Sequence, residues 1–267
     1  MQITIINDCL DQNAKLRQIT RTGSLFENCS VSCFGVRSDL EAAGFLVDAI
    51  DAFGGREGII MVNVAPRNER AKKWKNGTPF GFFWNKKTLI ISSVDELTLS
   101  LAKKLGVIKN FYILDIAEVL NSINNKELNR NTKRRIINSQ FRSFDFLPRA
   151  ARWIMKKENI PFGEYNLSEI PVSPNAVWFV DNFGNIKTTL LKEEINLDAK
   201  NEVAIKINGK IKKFSFYDRL RDFPNKTTGL TVGSSGVEEK RFLEIISRGG
   251  NAGKKLNIKS GSLIGIV

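Results

Sequence analysis

The stretch VDNFGNIKTT, residues 180–189, places a run of turn-forming residues between two short apolar segments. Asp, Asn and Gly favour turns because their side chains bond nearby backbone groups and Gly accepts positive φ. The same arrangement recurs around Asn208-Gly209, a dipeptide typical of two-residue hairpin turns. Short apolar segments continue to the end of the chain, at residues 243–246 and 263–267. This pattern predicts a smaller all-β, barrel-like domain over residues 175–267.

Strands and helices alternate in the part of the chain before this region. Apolar, β-branched segments predict strands at residues 3–6, 58–64, 80–84, 88–92 and 111–114. Helices are predicted from Ser38, where Glu41 completes a capping box, and at residues 96–105 and 147–157. Such alternation is typical of a mostly parallel sheet covered by helices. We therefore expect an α/β domain over residues 1–165 and a linker over 166–174.

Polar residues follow the first and second predicted strands. Asn7 and Asp8 come directly after residues 3–6, and a Pro66-Arg67 turn follows residues 58–64. Ligands of open α/β sheets bind beyond the carboxyl ends of strands, so both positions are candidates for a site. A carboxylate such as that of Asp8 accepts two hydrogen bonds at once, which suits a vicinal diol. The alternative is an aspartate that caps a helix or a turn.

The 267 residues contain no histidine. This excludes Ser–His–Asp and Cys–His catalysis and histidine metal sites, and leaves Asp, Glu, Lys, Tyr or a perturbed Cys as a general base. The three cysteines, Cys9, Cys29 and Cys33, are too few for a zinc site without histidine and odd in number for disulfides. We expect no metal. No apolar run is long enough to cross a membrane and no signal peptide is evident, so a cytoplasmic protein is expected.

Lys and Arg outnumber Asp and Glu by 41 to 28, which gives a net charge of +13. Such charge attracts nucleic acid or other anions. However, the basic residues are scattered apart from residues 129–135, and the sequence is rich in Lys, Asn and Ile. We interpret the charge run as a solvated face or loop and do not expect nucleic acid as the partner.

Residues 180–189 resemble the D-x-F-G-N-x-x-T-N motif of the S-adenosylmethionine (SAM) hydroxide adenosyltransferase and halogenase family. Residues 233–236, 242–245 and 249–252 resemble the same family's S-S-G-F-L-E-I-A-x-N-x-G-S-A segment, with residues 237–241 inserted. Four N-terminal segments match more weakly but in order: residues 6–8, 39–43, 60–66 and 141–146. The resemblance thus covers nearly the whole chain, and the C-terminal third is its most specific part.

The resemblance implies a site for SAM or adenosine between the N-terminal domain of one subunit and the C-terminal domain of a neighbour in a homotrimer. Matched positions assign Asp8 to the ribose hydroxyls, Asp181 to the methionine ammonium and Asn185 to the nucleoside. The remaining candidates for substrate binding are Phe141, Ser234, Ser235 and Gly249, with Ser234 and Ser235 facing the methionine carboxylate and Gly249 the adenine. Trp74 and Trp84 are candidates for an aromatic wall, although Trp84 is expected to be buried in its strand.

The catalytic positions depart from the family, whose hydrolytic members activate water with Asp, Arg and His. Ala65 stands at the aspartate position and Arg142 at the histidine position, while Arg67 or Arg70 matches the arginine. Ser143 matches a serine of halogenating members, and a halide needs desolvation and hydrogen-bond donors instead of a base. Arg142 is alternatively an anion-binding group. Three functions therefore remain: a divergent adenosyltransferase or hydrolase that cleaves SAM, a catalytically inactive SAM- or adenosine-binding protein, and a basic nucleic-acid-binding protein.

Overall fold

The computed structural model describes residues 1–65, 77–94, 96–197 and 200–267. Pro66, Arg67, Arg70 and Trp74 lie outside the described residues. The chain forms two compact units, Met1–Pro171 and Val172–Val267, each with its own hydrophobic core. In the described parts of the chain, no helix is both long and apolar enough to cross a membrane.

The first unit is a seven-stranded sheet with helices. Its strands are β1 (Gln2–Asn7), β2 (Ser30–Gly35), β3 (Gly58–Asn63), β4 (Phe80–Asn85), β5 (Thr88–Ser93), β6 (Tyr112–Leu114) and β7 (Gly163–Glu164). Its helices are α1 (Gln12–Gly23), α2 (Asp39–Phe53), α3 (Ser100–Lys104), α4 (Ile116–Ser122), α5 (Arg130–Ile137), α6 (Arg142–Asp145) and α7 (Leu147–Met155). The strands are arranged in the order β2-β1-β3-β5-β4-β6-β7.

The sheet combines a parallel half with an antiparallel half. Strands β2, β1, β3 and β5 run parallel, whereas β4, β6 and β7 pair antiparallel with their neighbours. The antiparallel half begins at the β4–β5 hairpin, which turns over Lys86 and Lys87. The predicted α/β domain is confirmed, and its sheet is mixed.

The carboxyl ends of β1, β3 and β5 lie at one edge of this sheet, which we call the carboxyl edge. The carboxyl edge is held together by buried polar groups, because the Ser93 hydroxyl donates to the Val64 carbonyl (3.2 Å) and accepts from the Val64 amide (3.1 Å). Strand β4 runs the other way, so it starts there, with Phe80 opposite Ser93. Helix α2 follows β2 in the sequence. The Ser38 hydroxyl accepts a hydrogen bond from the Glu41 amide at its start, as the capping box predicts.

The second unit consists of two antiparallel sheets. Its strands are β8 (Val177–Val180), β9 (Ile186–Leu191), β10 (Glu202–Ile207), β11 (Lys210–Ser215), β12 (Thr228–Val237), β13 (Lys240–Ser247) and β14 (Ile264–Ile266), and its helix is α8 (Ala252–Leu256). One sheet has the order β11-β10-β14 and the other β12-β13-β9-β8. Single bridges, Ala176 to Leu263 and Phe216 to Leu230, connect the two around a shared core. The predicted β domain after the α/β domain is confirmed.

One local expectation was wrong. Trp84 is 42% exposed, because it lies near the end of β4, beyond the buried Phe80 and Phe82 of the same face. The basic run at residues 129–135 is part of helix α5, capped by Asn129, and its Lys133 is buried with the ammonium donating to the Ile123 carbonyl. The run is therefore a mostly solvated helix face, which agrees with one of the two expected forms, and Lys133 is its one buried cation.

Candidate functional site

Asp8 lies half-buried at the carboxyl edge, at the point where β1 ends. Its Oδ2 accepts a hydrogen bond from the Ala65 amide (3.1 Å), and its own amide donates to the Asn63 carbonyl (3.2 Å). These two bonds connect the ends of β1 and β3. The Cys9 thiol lies 3.9 Å from the other oxygen, Oδ1.

Asn7, fully buried just before Asp8, fixes the direction in which the chain leaves β1. Its side-chain carbonyl accepts from the Cys9 amide (2.5 Å), and its amide nitrogen donates to the Cys33 sulfur (3.5 Å). An asparagine that bonds the backbone two residues later forms a tight local turn. Asn7 thus positions the Asp8 carboxylate, a role that the sequence alone did not reveal.

Arg142 and Ser143 begin the short helix α6. The Arg142 guanidinium donates to the Ser139 carbonyl (3.3 Å) and packs against Gly77, where an added Cβ would overlap the guanidinium. Gly77 precedes β4, and the Phe146 ring after α6 stacks on Phe80, so α6 also lies at the carboxyl edge. Burial lowers the pKa of Arg142 from its ordinary value.

The described residues give Arg142 no carboxylate partner within salt-bridge distance. Ser143 is half-buried, and Phe141, at the N-cap of α6, is 68% exposed. The structure thus brings Asp8, Ala65, Arg142 and Ser143 to the same edge of the sheet. The third predicted catalytic residue, Arg67, falls outside the described residues.

In the second unit, Asp181 organises the turn between β8 and β9. Its Oδ1 accepts from the amides of Phe183 (2.9 Å) and Asn185 (2.8 Å), and its Oδ2 accepts from the Asn185 side chain (2.9 Å). Three of the carboxylate's acceptor positions are therefore occupied within the turn, and about one remains. Asp181 and Asn185 are brought together, and Phe183, 70% exposed, lies at the tip of the turn between them.

Asn251 packs against this turn. Gly184 has φ +84°, and a Cβ at this position would overlap the Asn251 side chain. The Gly184 carbonyl accepts from the Gly253 amide (3.0 Å), while the Asn251 side chain caps α8 by accepting from the Lys254 amide (2.7 Å). The two segments that carry the resemblance, around residues 181–185 and 249–252, therefore contact each other. Gly249 is exposed with φ +70°, and nothing lies within 4 Å of its added Cβ.

Ser235 belongs to a second polar cluster. It is 3% exposed and accepts a hydrogen bond from the Lys187 ammonium (2.9 Å), which also contacts Glu244 at 2.7 Å. Lys187 and Glu244 are cross-strand partners in β9 and β13. Ser234 is exposed, and its carbonyl accepts from the Arg241 guanidinium (2.9 Å). Sequence reasoning missed Lys187 and Glu244, although Lys187 lies inside the quoted motif.

The residues that appear inserted relative to the family lengthen the β12–β13 hairpin. Val237 pairs with Lys240 across a turn at Glu238 and Glu239, and Gly236 pairs with Arg241. Between Val232 and Gly236 the register shifts, so residues 233–235 form a bulge. This bulge is what separates the exposed Ser234 from the buried Ser235.

No three Cys, Asp and Glu side chains in the described ranges are grouped as metal ligands would be.

Residues 175–265 match the family described as "SAM hydroxide adenosyltransferase C-terminal domain". This match spans nearly all of the second unit, Val172–Val267. It includes the Asp181 turn, the bulge at Ser234 and Ser235, and the Asn251 cap. No curated protein matches the chain.

Solved structures with the same fold as the whole chain include two crystal structures of uncharacterised proteins. One is an uncharacterised conserved protein from Thermotoga maritima, with TM-score 0.69 and 14% identity, covering 99% of this chain and 100% of that one. The other is a conserved hypothetical protein from Thermus thermophilus, with TM-score 0.61 and 14% identity, covering 100% of this chain and 99% of that one.

Proposed function

We propose that this chain, whose C-terminal domain belongs to the SAM hydroxide adenosyltransferase C-terminal domain family, binds SAM and cleaves it by attack at the ribose C5′. The observation that carries the proposal is the ordered turn of Asp181 and Asn185 inside the matched region. The same match supports a ligand related to SAM. The adenosine and methionine products and the residue roles below are the proposal's own.

In this proposal the C-terminal domain binds the charged methionine part and the nucleoside. Asp181 accepts from the methionine ammonium with its remaining acceptor position, since an ionised acceptor forms the stronger kind of hydrogen bond. Asn185, fixed by Asp181, reads the nucleoside with its amide carbonyl. The exposed Ser234 hydroxyl donates to the methionine carboxylate, and Gly249 lets the backbone approach the adenine.

Asp8 accepts hydrogen bonds from the two ribose hydroxyls. The Ala65 amide holds its carboxylate in place, so little side-chain freedom is lost when the ligand binds. Phe141 offers an exposed ring that can lie against the nucleoside.

The reaction forms a bond between a water oxygen and C5′ and breaks the C5′–sulfur bond. The sulfonium takes the bonding electron pair and leaves as methionine, and the proton of the water passes to solvent. Arg142 supplies positive charge that favours the hydroxide form of the nucleophile, and Ser143 supplies a hydroxyl donor beside it. Ala65 and Arg142 provide no base, so we expect turnover roughly 10²–10⁴-fold slower than base-assisted hydrolysis.

A second function, a catalytically inactive SAM- or adenosine-binding protein, is favoured by the same two residues, Ala65 and Arg142. Both functions predict that SAM raises the melting temperature of the protein. They differ in whether adenosine and methionine accumulate, in equal amounts, during prolonged incubation with SAM.

The proposal includes a homotrimer, which sedimentation equilibrium tests directly. Its main test is calorimetric titration of the full chain with SAM, followed by chromatography of the same sample. Appearance of 5′-halogenated adenosine after chloride or fluoride is added would identify halide, in place of water, as the nucleophile. Saturable SAM binding without any product would leave the inactive binding protein as the function. Absence of SAM binding would reject both functions.

A further inference from the structure

The net positive charge of this chain is concentrated in one stretch of the first unit. Residues 126–157, which include α5, α6 and α7, contain ten Lys and Arg and only two Asp and Glu. This stretch therefore carries more than half of the net charge of +13.

Three guanidinium groups from three helices converge on the buried carboxylate of Asp145. Arg135 of α5 lies 3.0 Å from Oδ2, and Arg21 of α1 and Arg149 of α7 each lie 3.8 Å from Oδ1. Arg149 also donates to the Asp145 carbonyl (2.5 Å). The carboxylate side chain is only 4% exposed, so it is the neutralising charge that these three arginines share.

Phe144 holds two of the cations in position. The guanidinium carbons of Arg17 and Arg21, one turn apart on α1, each lie 4.6 Å from the centroid of its ring. A cation over an aromatic face is attracted by the ring quadrupole. We call the four arginines with Phe144 and Asp145 the arginine cluster.

The charges of the arginine cluster do not balance. One carboxylate against three close guanidiniums leaves an excess of two positive charges, and Arg17 adds a third. The close cations destabilise one another, and burial followed by the charge of Arg21 lowers the pKa of Arg149 despite the nearby Asp145. Arg135 keeps 57% of its side chain exposed and Arg21 keeps 27%, so both can reach a ligand from solvent.

We propose that the arginine cluster is a binding site for a phosphate group, distinct from the SAM site. A phosphate monoester carries close to two negative charges, which offsets most of the excess of three, and its several oxygens accept bidentate bonds from guanidinium groups. A single carboxylate ligand carries one negative charge and would offset less of the excess. The phosphate belongs either to a small molecule or to a nucleic-acid backbone, two sources of one chemistry that the test separates.

The test measures binding of inorganic pyrophosphate by calorimetry and of a single-stranded oligodeoxynucleotide by fluorescence anisotropy, both on the full chain. Arg135→Gln is the test variant, because Arg135 is the most exposed of the three arginines around Asp145 and its loss leaves the carboxylate paired. Arg130→Gln is the matched control, since it removes the same charge from an exposed position of the same helix.

We expect Arg135→Gln to weaken pyrophosphate binding roughly tenfold or more, as loss of a charged hydrogen bond does, and Arg130→Gln to have little effect. If the same contrast appears only with the oligonucleotide, the phosphate is that of a nucleic-acid backbone, and its affinity falls with salt. Equal effects of the two variants, or no saturable binding of either probe, would overturn the proposal. Asp181→Ala leaves this binding intact, which keeps the result independent of the SAM site.

Discussion

At the scale of single residues, Asp8 combines a structural hydrogen bond with a proposed role in ligand binding. Asp8→Asn keeps the shape of the side chain and an oxygen that accepts from the Ala65 amide. It replaces the other oxygen with a donor, which faces the donating ribose hydroxyls. We expect SAM and adenosine to bind roughly ten- to a hundredfold more weakly, by the usual 1.5–3 kcal/mol of a charged hydrogen bond.

Asp11→Asn is the control for this variant. Asp11 caps α1 by accepting from the Ala14 amide (2.8 Å), and asparagine caps helices about as well as aspartate. Titration calorimetry should give this variant the affinity of the parent protein. If Asp8→Asn binds as tightly as Asp11→Asn, the ribose role of Asp8 is wrong.

The cysteines should differ in reactivity. Cys9 is exposed beside Asp8, whereas burial raises the pKa of the Cys33 thiol, against smaller opposing effects of Lys15 and Asn7. The thiolate is the reactive form, so iodoacetamide at neutral pH should label Cys9 well before Cys33, as read by peptide mass spectrometry. Labelling Cys33 as fast as Cys9 in the native protein would contradict the structure.

The raised pKa of Cys33 also predicts a pH effect on stability. A thiol that holds its proton more firmly when folded contributes stability below its unfolded pKa, and this is lost as pH rises through the folded pKa. Cys33→Ala should therefore lose less stability than the parent between neutral and alkaline pH. Urea unfolding across this range measures the difference.

Residue roles could be predicted from the sequence where they depend on local turn chemistry, and not where they depend on the register of paired strands. Asp181 and Asn185 were placed at a turn because Asp, Asn and Gly favour it. The contact of Lys187 with Glu244 depends on the pairing of β9 with β13, where a bulge shifts the register between Phe242 and Glu244. A period-two pattern does not locate such a bulge, so the pair was missed.

At the scale of elements, the contact between the Asp181 turn and helix α8 can be tested with two glycines. Both Gly184 and Gly249 have positive φ, so alanine at either is strained by roughly 1–2 kcal/mol. Only at Gly184 would the new Cβ also overlap Asn251, and displacing this cap costs about 1 kcal/mol more. Gly184→Ala should therefore unfold at lower urea concentration than Gly249→Ala, and equal midpoints would reject the contact.

Some elements were predicted correctly from the sequence, and others were missed. The capping box at Ser38 and the Asn208-Gly209 hairpin gave α2 and the β10–β11 pair, because their signals lie in neighbouring residues. Helix α1 escaped because its apolar Leu16 is 63% exposed while the polar Gln18 and Thr22 are buried. An amphipathic pattern cannot reveal a helix whose buried face is polar.

At the scale of the whole molecule, each unit carries its own set of candidate ligand-binding residues. The carboxyl edge of the first unit presents Asp8 with Arg142, and the second unit presents the Asp181 turn and the exposed Ser234. The order of the two units was predictable, because the sequence pattern changes from alternating strands and helices to short strands alone. The mixed sheet was not, because the pairing direction of β4 and β6 depends on contacts distant in sequence.

The measurement that tests the central claim most directly is titration of the full chain with SAM, repeated with Asp181→Ala. This substitution removes the acceptor of three hydrogen bonds that hold residues 181–185, so it should abolish or strongly weaken SAM binding while the first unit stays folded. The account predicts saturable SAM binding by the parent, its loss in the variant, and slow release of adenosine and methionine in equal amounts. A folded parent protein that shows no saturable heat with SAM, or a variant that binds SAM as the parent does, would contradict it.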